Sequence, residues 1–245
     1  MRTSDTAPNL LLDPNAHPII GHRGASGTCP ENTVLAFDRA LGDGADALEF
    51  DVRATADGVP VVIHDPAVDR TTTGRGLVSA MTAGALDALD AGRGERIPRL
   101  EAVLERYADT LLLIEIKETR AAGPALAALQ RTGAERRVLV GSFVRGALRP
   151  FRRAGVATAA SRGGVALALV TSRLGLMPRG SDAAFAVPER RGRIHVVDER
   201  FVRAARRAGR PVHVWTVNAP QDAKRLRALG VCGIITDYPE RMRNL

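Results

Sequence analysis

Three carboxylates lie at the ends of two apolar segments of the chain. Glu49 and Asp51 are separated by one residue, and Glu115 stands two positions before Lys117. If both segments are β-strands, residues two apart point to the same face. Ionised carboxylates that share a face repel each other unless a cation lies among them, and a hard divalent ion suits oxygen ligands. The pattern predicts a site for one Mg²⁺ or Ca²⁺ ion on Glu49, Asp51 and Glu115, with ion pairing to nearby arginines as the alternative.

Two of the five histidines stand close to predicted strand ends. His22 and Arg23 directly follow one apolar segment, and His64 ends another. A single histidine there more often has a structural role, but two beside one acidic cluster fit a general acid and base, because imidazole titrates near neutral pH. Arg23 and Lys117 add positive charge, which either balances the carboxylates or binds an anion. A metal ion, two cationic side chains and two imidazoles together suit the hydrolysis of a phosphate diester.

The elements that carry these residues alternate between short β-branched segments and helical patterns rich in alanine, arginine and leucine. This alternation indicates βα units, and about eight units in a chain of this length fit a TIM (β/α)8 barrel better than an open doubly wound sheet. No glycine-rich dinucleotide motif follows the first segment. The predicted strands are 18–21, 46–52, 111–116, 137–141, 156–160, 184–188, 212–217 and 233–236, and the predicted helices are 33–42, 122–131, 145–154, 199–208 and 220–229.

One apolar run, residues 59–64, follows a predicted strand too closely for a helix to lie between them. Asp57 and Gly58 separate the two runs, and this pair is a strong signal for a two-residue hairpin turn. The second predicted strand therefore continues into a hairpin. A two-residue turn would place His64 directly opposite Asp51.

The alternation is interrupted over residues 66–108. This stretch contains several glycines, too few apolar residues to form a core of its own, and two weak helical patches at 79–89 and 99–108. We therefore expect an α/β TIM barrel with a small insertion after the strand-2 hairpin. The whole chain, 1–245, is predicted to form one domain, with a loose N-terminal tail of about 15 residues.

The composition is that of a globular protein, with 45% hydrophobic and 25% charged residues. The formal net charge of +8 raises nucleic-acid binding as a competing function. An aromatic content of 4%, and arginines spread over helix faces without a compact basic arm, argue against it. The sequence contains no secretory signal and no apolar run of membrane length, and Cys29 and Cys232 are too few for a disulfide framework. We expect a cytoplasmic protein with reduced thiols, no nucleic-acid partner and no stable membrane insertion.

The chain contains a series of short sequence motifs. Their order along the chain is a more specific indication of a protein family than any single motif. The segments are His22-Arg23-Gly24, Pro30-Glu31-Asn32-Thr33 with Ala36-Phe37, Glu49-Phe50-Asp51-Val52, Thr55-Ala56-Asp57-Gly58, His64-Asp65, Arg70-Thr71-Thr72-Thr73-Gly74, Ile97-Pro98-x-Leu100, Glu115-Ile116-Lys117, Ser142-Phe143, Trp215-Thr216-Val217-Asn218 and Gly233-Ile234-Ile235-Thr236-Asp237. In this order, over residues 19–240, they resemble the glycerophosphodiester phosphodiesterase family.

The resemblance implies a TIM barrel with a small insertion and a metal-dependent enzyme. The implied reaction is the hydrolysis of glycerophosphodiesters, small-molecule substrates, to glycerol 3-phosphate and an alcohol. The implied site residues are Glu49, Asp51 and Glu115 for one divalent cation, His22 and His64 for acid and base catalysis, Arg23 and Lys117 for the phosphate, and Trp215 as an apolar wall for the glycerol or the head group.

The chain departs from the family pattern at Cys232, where an aspartate is usual. This position lies early in the last predicted strand, away from the expected site, so we expect a change in packing and not a loss of activity. The alternative function is phospholipase-D-like hydrolysis of lysophospholipid or sphingomyelin head groups. Such enzymes resemble this chain in barrel and site but require an apolar groove or an exposed interfacial aromatic, and the low aromatic content argues against them.

Overall fold

The computed structural model describes residues 9–144 and 146–245, so the part of the predicted tail in residues 1–8 lies outside the described residues. The strands are β1 (Ile19–His22), β2 (Ala47–Ala54), β3 (Pro60–Val62), β4 (Leu111–Ile116), β5 (Val138–Gly141), β6 (Phe185–Pro188), β7 (Arg190–Arg191), β8 (Ile194–His195), β9 (Val212–Trp215) and β10 (Gly233–Thr236). The α-helices are α1 (Val34–Gly42), α2 (Ala83–Asp87), α3 (Leu100–Arg106), α4 (Thr119–Thr132), α5 (Arg149–Arg153), α6 (Arg162–Ser172), α7 (Glu199–Arg207) and α8 (Pro220–Ala228).

Seven strands pair side by side in the order β5-β4-β2-β1-β10-β9-β6, and every neighbouring pair is parallel. Single bridges from Thr158 to Val140 and from Ala159 to Ala184 close the remaining gap. The predicted strand 156–160 therefore contributes only isolated pairings, and three of its five residues are alanine, which has a low strand propensity. The TIM-barrel prediction is confirmed.

Two helical stretches differ from the prediction. The predicted helix 145–154 begins at residue 145, which lies outside the described residues. Over 146–154 it is shortened to α5, because Gly146 adopts a left-handed φ of 88° that an α-helix does not accommodate. Helix α6 was not predicted. It begins at Arg162, and the side chain of the preceding Ser161 accepts a hydrogen bond from the Gly164 amide and so caps the first turn.

The insertion is shorter than the predicted range 66–108. The buried residues Leu100, Val103 and Leu104 of α3 belong to the main core between the barrel strands and the helices, so α3 is a barrel helix. The preceding segment covers the hairpin through a separate small cluster, made of Val61, Ile63, Val68, Val78, Leu86, Ala91 and Ile97.

The β2–β3 hairpin forms, but its predicted register is wrong by one residue. Val52 pairs with Val62, and the amide of Ile63 donates to the carbonyl of Asp51, so Ile63 and not His64 lies opposite Asp51. The reason is a three-residue loop in place of a two-residue turn: the Thr55 amide donates to the Val59 carbonyl across it.

The N-terminal segment closes the amino end of the barrel. Leu11 is fully buried among residues of the barrel interior, so the described part of the predicted tail is packed and not loose. The Leu11 carbonyl lies 2.9 Å from Nε2 of His213, a fully buried residue of β9. Gly233 leaves room for this imidazole, because a Cβ there would lie 2.2 Å from His213 Nδ1. Both cysteines are free, and Cys232 is buried beside this segment, with Sγ 3.3 Å from the Pro14 carbonyl.

Among the residues that the structure describes, no helix is both long and apolar enough to cross a bilayer.

His213 generates a prediction about stability and pH. Burial lowers its pKa from 6.5 to about 4, against a smaller opposing effect of the hydrogen bond to Leu11. The unfolded chain therefore binds a proton that the folded chain excludes, and stability is lost as the pH falls from about 6.5 towards 4. We expect His213 to account for roughly 2 kcal/mol of lost unfolding free energy between pH 7 and pH 5.

Urea unfolding at both pH values measures this contribution. The variant His213→Gln should lose less stability on acidification than the wild type, whereas a control at the exposed His195, His195→Gln, should follow the wild type. Equal acid sensitivity of wild type and His213→Gln would contradict the assignment.

Candidate functional site

The carboxyl ends of β1, β2 and β4 bring the three predicted carboxylates together. Strand register sets Asp51 beside Glu115 and His22 beside Glu49. One carboxylate oxygen from each of Glu49, Asp51 and Glu115 lies within 4.8 Å of the others, and Glu49 and Asp51 are buried. The three acids therefore form a compact oxygen cluster at the end of the barrel where TIM-barrel sites lie.

The positive charge around this cluster is unevenly distributed. Lys117 Nζ lies 3.0 Å from Asp51 Oδ1 and 2.9 Å from Glu115 Oε1. Burial opposes ionisation of Asp51, but Lys117 and Arg23 outweigh it and hold its pKa below the usual range. Burial raises the pKa of Glu49 and of Glu115, and repulsion from Asp51 adds to both shifts. Three carboxylates thus face two cationic side chains, Lys117 and Arg23, and the all-oxygen cluster could hold a divalent cation.

His22 is held by a carboxylate from the last barrel strand. Its Nδ1 lies 2.6 Å from Asp237 Oδ1, and its Nε2 faces Glu49 Oε2 at 3.9 Å. Burial lowers the pKa of His22, but the hydrogen bond to Asp237 and the charge of Glu49 outweigh it, so the pKa is raised. Burial works against the charge of Asp237, yet hydrogen bonds from His22 and Asn218 lower its pKa to about 2.

His64 is held in the same manner by its neighbour in sequence. Its Nδ1 lies 2.6 Å from Asp65 Oδ1, and it lines the same cavity as His22. Hydrogen bonds from Arg70 and His64 hold the pKa of Asp65 well below its usual range. Although the hairpin register was predicted incorrectly, His64 still reaches the site, because it directly follows Ile63, which lies opposite Asp51 in the hairpin.

Arg23 contacts the acidic cluster through both its backbone and its side chain. Its amide donates to Glu49 Oε2 at 3.0 Å, its Nε lies 3.2 Å from Asp51 Oδ2, and its NH1 donates to Glu31 at 2.9 Å. The contact with Asp51 is a close ion pair without hydrogen-bond alignment. The backbone φ of 53° is uncommon for a residue with a Cβ, and the Glu49 contact holds the amide in this conformation.

Five residues beside this group were quoted in the sequence motifs without a role. Glu31 and Asp65 are joined by Arg70, which donates twice to Glu31, both at 2.7 Å, and once to Asp65 at 2.6 Å. Asn32 donates to Asp51 Oδ2 at 3.0 Å, and Asp237 orients His22. Their positions in the same motifs as His22, Arg23 and His64 were the available signal, but no spacing rule links residues this far apart in the chain.

A cavity of about 450 Å³ opens above the cluster and is lined by His22, Arg23, Glu49, His64, Glu115, Lys117 and Trp215 among others. Phe143 and Trp215 form one wall, with their ring centroids 5.8 Å apart. Beyond this wall lies a second, more apolar groove of about 470 Å³, between α6 and the β7–β8 hairpin. The structure thus brings all eight predicted site residues to one end of the barrel.

Comparison with known proteins identifies the family. The model of the glycerophosphoryl diester phosphodiesterase family matches residues 22–241. A glycerophosphodiester phosphodiesterase of Caldanaerobacter subterraneus subsp. tengcongensis is 36% identical over 248 residues, covering 93% of this chain and 96% of that protein. Among solved structures, a glycerophosphodiester phosphodiesterase of Agrobacterium tumefaciens has a TM-score of 0.77 and 29% identity, covering 94% of this chain and 100% of that one.

A third similar protein was solved with a bound product. It is a phosphodiesterase of Oleispira antarctica in complex with sn-glycerol 3-phosphate, with a TM-score of 0.80 and 26% identity, covering 94% of this chain and 96% of that one. The family match spans most of the chain and includes the whole acidic cluster. The chain therefore belongs to the glycerophosphoryl diester phosphodiesterase family and is a phosphoric diester hydrolase.

Proposed function

We propose that this enzyme hydrolyses glycerophosphodiesters to sn-glycerol 3-phosphate and an alcohol, with a divalent cation and two histidines. The observation that carries the proposal is the pair His22 and His64, each fixed by its own aspartate, facing one cavity above three clustered carboxylates. The relatives named above support the substrate class, and the product bound to the Oleispira antarctica protein is the one that this reaction would release.

Glu49, Asp51 and Glu115 would hold the cation. The donor set is entirely carboxylate oxygen, and its three acids face two cationic side chains, Lys117 and Arg23. Mg²⁺ and Ca²⁺ both suit such ligands. When bound, the ion would stabilise negative charge on the phosphoryl oxygens.

The two histidines would move the protons. Ionised Asp237 can only accept a hydrogen bond, so the proton of neutral His22 lies on Nδ1 and the Nε2 lone pair is left free. The same argument leaves Nε2 of His64 free, because Asp65 accepts from Nδ1. One Nε2 would take the proton of the attacking oxygen, and the other, protonated, would donate to the leaving alcohol.

Arg23 and Lys117 would bind the phosphate. Both cationic groups line the cavity beside the cluster, and both are already oriented by carboxylates. Trp215 would form an apolar wall for the glycerol or the head group, supported by its edge contact with Phe143. The apolar groove beyond that wall meets one requirement of the phospholipase-D-like alternative, but the relatives reported above are named for glycerophosphodiesters, so we prefer the latter substrates.

Product analysis with a panel of glycerophosphodiesters tests the function and its metal dependence together. We expect release of sn-glycerol 3-phosphate, loss of activity in EDTA and recovery with Mg²⁺ or Ca²⁺. Removing a ligand, in Glu49→Gln or Asp51→Asn, should also weaken calorimetric binding of the metal. Glu101→Gln is a matched control, because Glu101 is a half-exposed acid that pairs with Arg131 and does not belong to the cluster. Full activity in EDTA would contradict the proposed cation site.

Substitution of each histidine tests the proton transfers. Losing one general acid or base costs about 10²- to 10⁴-fold in kcat, so we expect this range for His22→Ala and His64→Ala. The exposed His195 provides a control, and His195→Ala should keep normal kcat. A substrate with a better leaving group should rescue only the variant that lacks the acid. Near-normal kcat for either variant on every diester would exclude the paired mechanism.

A further inference from the structure

The outward face of helix α6 is apolar, which is unusual for a helix on the surface of a protein. Buried Ala168 and half-buried Leu169 face the barrel, while Leu167 and Val170 point outwards with exposed fractions of 53% and 65%. In the described part of the chain, six large apolar side chains are exposed, and five of them lie in one segment, residues 162–194. These five are Leu167, Val170, Leu174, Leu176 and Ile194.

The same segment is strongly basic. Its acidic residues are only Asp182 and Glu189, and each is already paired with an arginine from another element, Arg152 and Arg225 respectively. Its exposed arginines make no ion pair with the residues described, and they are Arg162, Arg173, Arg179, Arg190, Arg191 and Arg193. We call the five apolar residues and these six arginines, all exposed and all within residues 162–194, the α6 face.

The α6 face borders the catalytic cavity. Ile194 and Arg162 line the apolar groove beside α6, and Arg162 also lines the main cavity, where its guanidinium stacks 5.0 Å from the ring centre of Phe143. Whatever covers this face therefore lies beside the entrance to the site.

We propose that the α6 face docks on an anionic lipid surface. Exposed apolar side chains flanked by arginines match the two layers of such a surface, the acyl boundary and the negative head groups. A second copy of this chain fits less well, because a two-fold contact of the face with itself would bring unpaired arginines against each other. Docking would place the site entrance next to the membrane surface without any helix crossing it.

Sedimentation with vesicles tests the docking. The full-length protein should bind vesicles that mix phosphatidylglycerol with phosphatidylcholine, bind phosphatidylcholine alone much less, and release as the salt concentration rises. Combining Leu174→Ser with Leu176→Ser, or Arg190→Gln with Arg191→Gln, should weaken binding about tenfold or more. Leu77→Ser is the control, because Leu77 is exposed to a similar extent but lies outside the α6 face. All of these variants should keep wild-type kcat on a water-soluble diester.

Several results would overturn this proposal. Absence of binding to phosphatidylglycerol vesicles, or binding that the leucine and arginine variants leave unchanged, would exclude the α6 face as a lipid-docking surface. Self-association in analytical ultracentrifugation that Leu174→Ser with Leu176→Ser abolishes would assign the face to a second copy of the chain.

A separate observation concerns Arg70, which lies in the insertion and is half exposed. Its guanidinium joins two carboxylates that each hold a different side chain of the site. Glu31 accepts from both Arg70 and Arg23, and Asp65 accepts from both Arg70 and His64. One residue outside the cavity lining thereby connects the phosphate-binding arginine to one of the two histidines.

We infer that Arg70 is a positioning residue. It fixes the orientation of the Arg23 and His64 side chains through its hydrogen bonds to Glu31 and Asp65. This inference rests on the proposed function, because it assigns Arg70 an effect on kcat through His64. The two hydrogen bonds to Glu31 use the planar fork of the guanidinium, which a lysine does not provide.

A double-mutant cycle separates positioning from a general effect on folding. Arg70→Met should lower kcat by about tenfold to a hundredfold in the wild-type background, since small displacements of catalytic groups are costly. It should lower kcat much less in a His64→Ala background, because the side chain that Arg70 positions is gone. Arg70→Met should also raise KM, because Arg23 is displaced from the phosphate, and this rise should be the same in both backgrounds. Arg70→Lys should recover only part of the loss. Arg99→Met, which breaks an exposed ion pair with Asp87 near the same segment, is the control and should leave kcat unchanged.

The outcomes are distinguishable. Equal losses from Arg70→Met in both backgrounds, or no loss at all, would overturn the role of Arg70 while leaving the histidine pair intact. A His64→Ala enzyme with full activity would overturn both the acid–base assignment and the positioning role.

Discussion

Mutual repulsion of Glu49, Asp51 and Glu115 is the constraint that explains most of the site. Parallel pairing of β2 with β4 brings their oxygens within 4.8 Å of one another, at a place where burial removes much of the screening by water. Lys117 and Arg23 are drawn against Asp51, and the two glutamates are left with raised pKa values. A cluster of this kind stays fully ionised only when further positive charge reaches it.

Outside the acidic cluster, further carboxylates contact the cationic and imidazole side chains of the site. Three groups at the cavity have a carboxylate behind them: Glu31 behind Arg23, Asp237 behind His22 and Asp65 behind His64. These outer carboxylates fix orientation as well as charge, because each accepts a hydrogen bond from a particular nitrogen. Arg70 joins two of them across the insertion, and Asn218 and Ser26 hold the third. The site is therefore rigid because these outer carboxylates are themselves hydrogen-bonded.

The features that could be predicted from the sequence are those that depend on the local spacing of residues. The i, i+2 spacing of Glu49 and Asp51 gave a shared face, and the alternation of strands and helices gave a barrel that brings strand ends together. The hairpin register was missed because Asp57-Gly58 fits both a two-residue turn and a three-residue loop with glycine in the left-handed position. Asp237 and Arg70 were given no role, because their contacts join residues far apart in the chain, which spacing alone does not pair.

The amino end of the barrel contains packing residues, whereas the carboxyl end contains the residues of the site. Strand β10 shows this separation, because Cys232 precedes it at the packed end and Asp237 follows it at the site. Cys232 lies with Leu11 and His213 at the closed end, where its amide donates to the Val212 carbonyl and its thiol contacts Pro14. A carboxylate there would need its own partner, whereas the buried thiol packs as a small apolar group. The departure from the family pattern at this position is therefore accommodated within the packed floor, several residues away from the aspartate that orients His22.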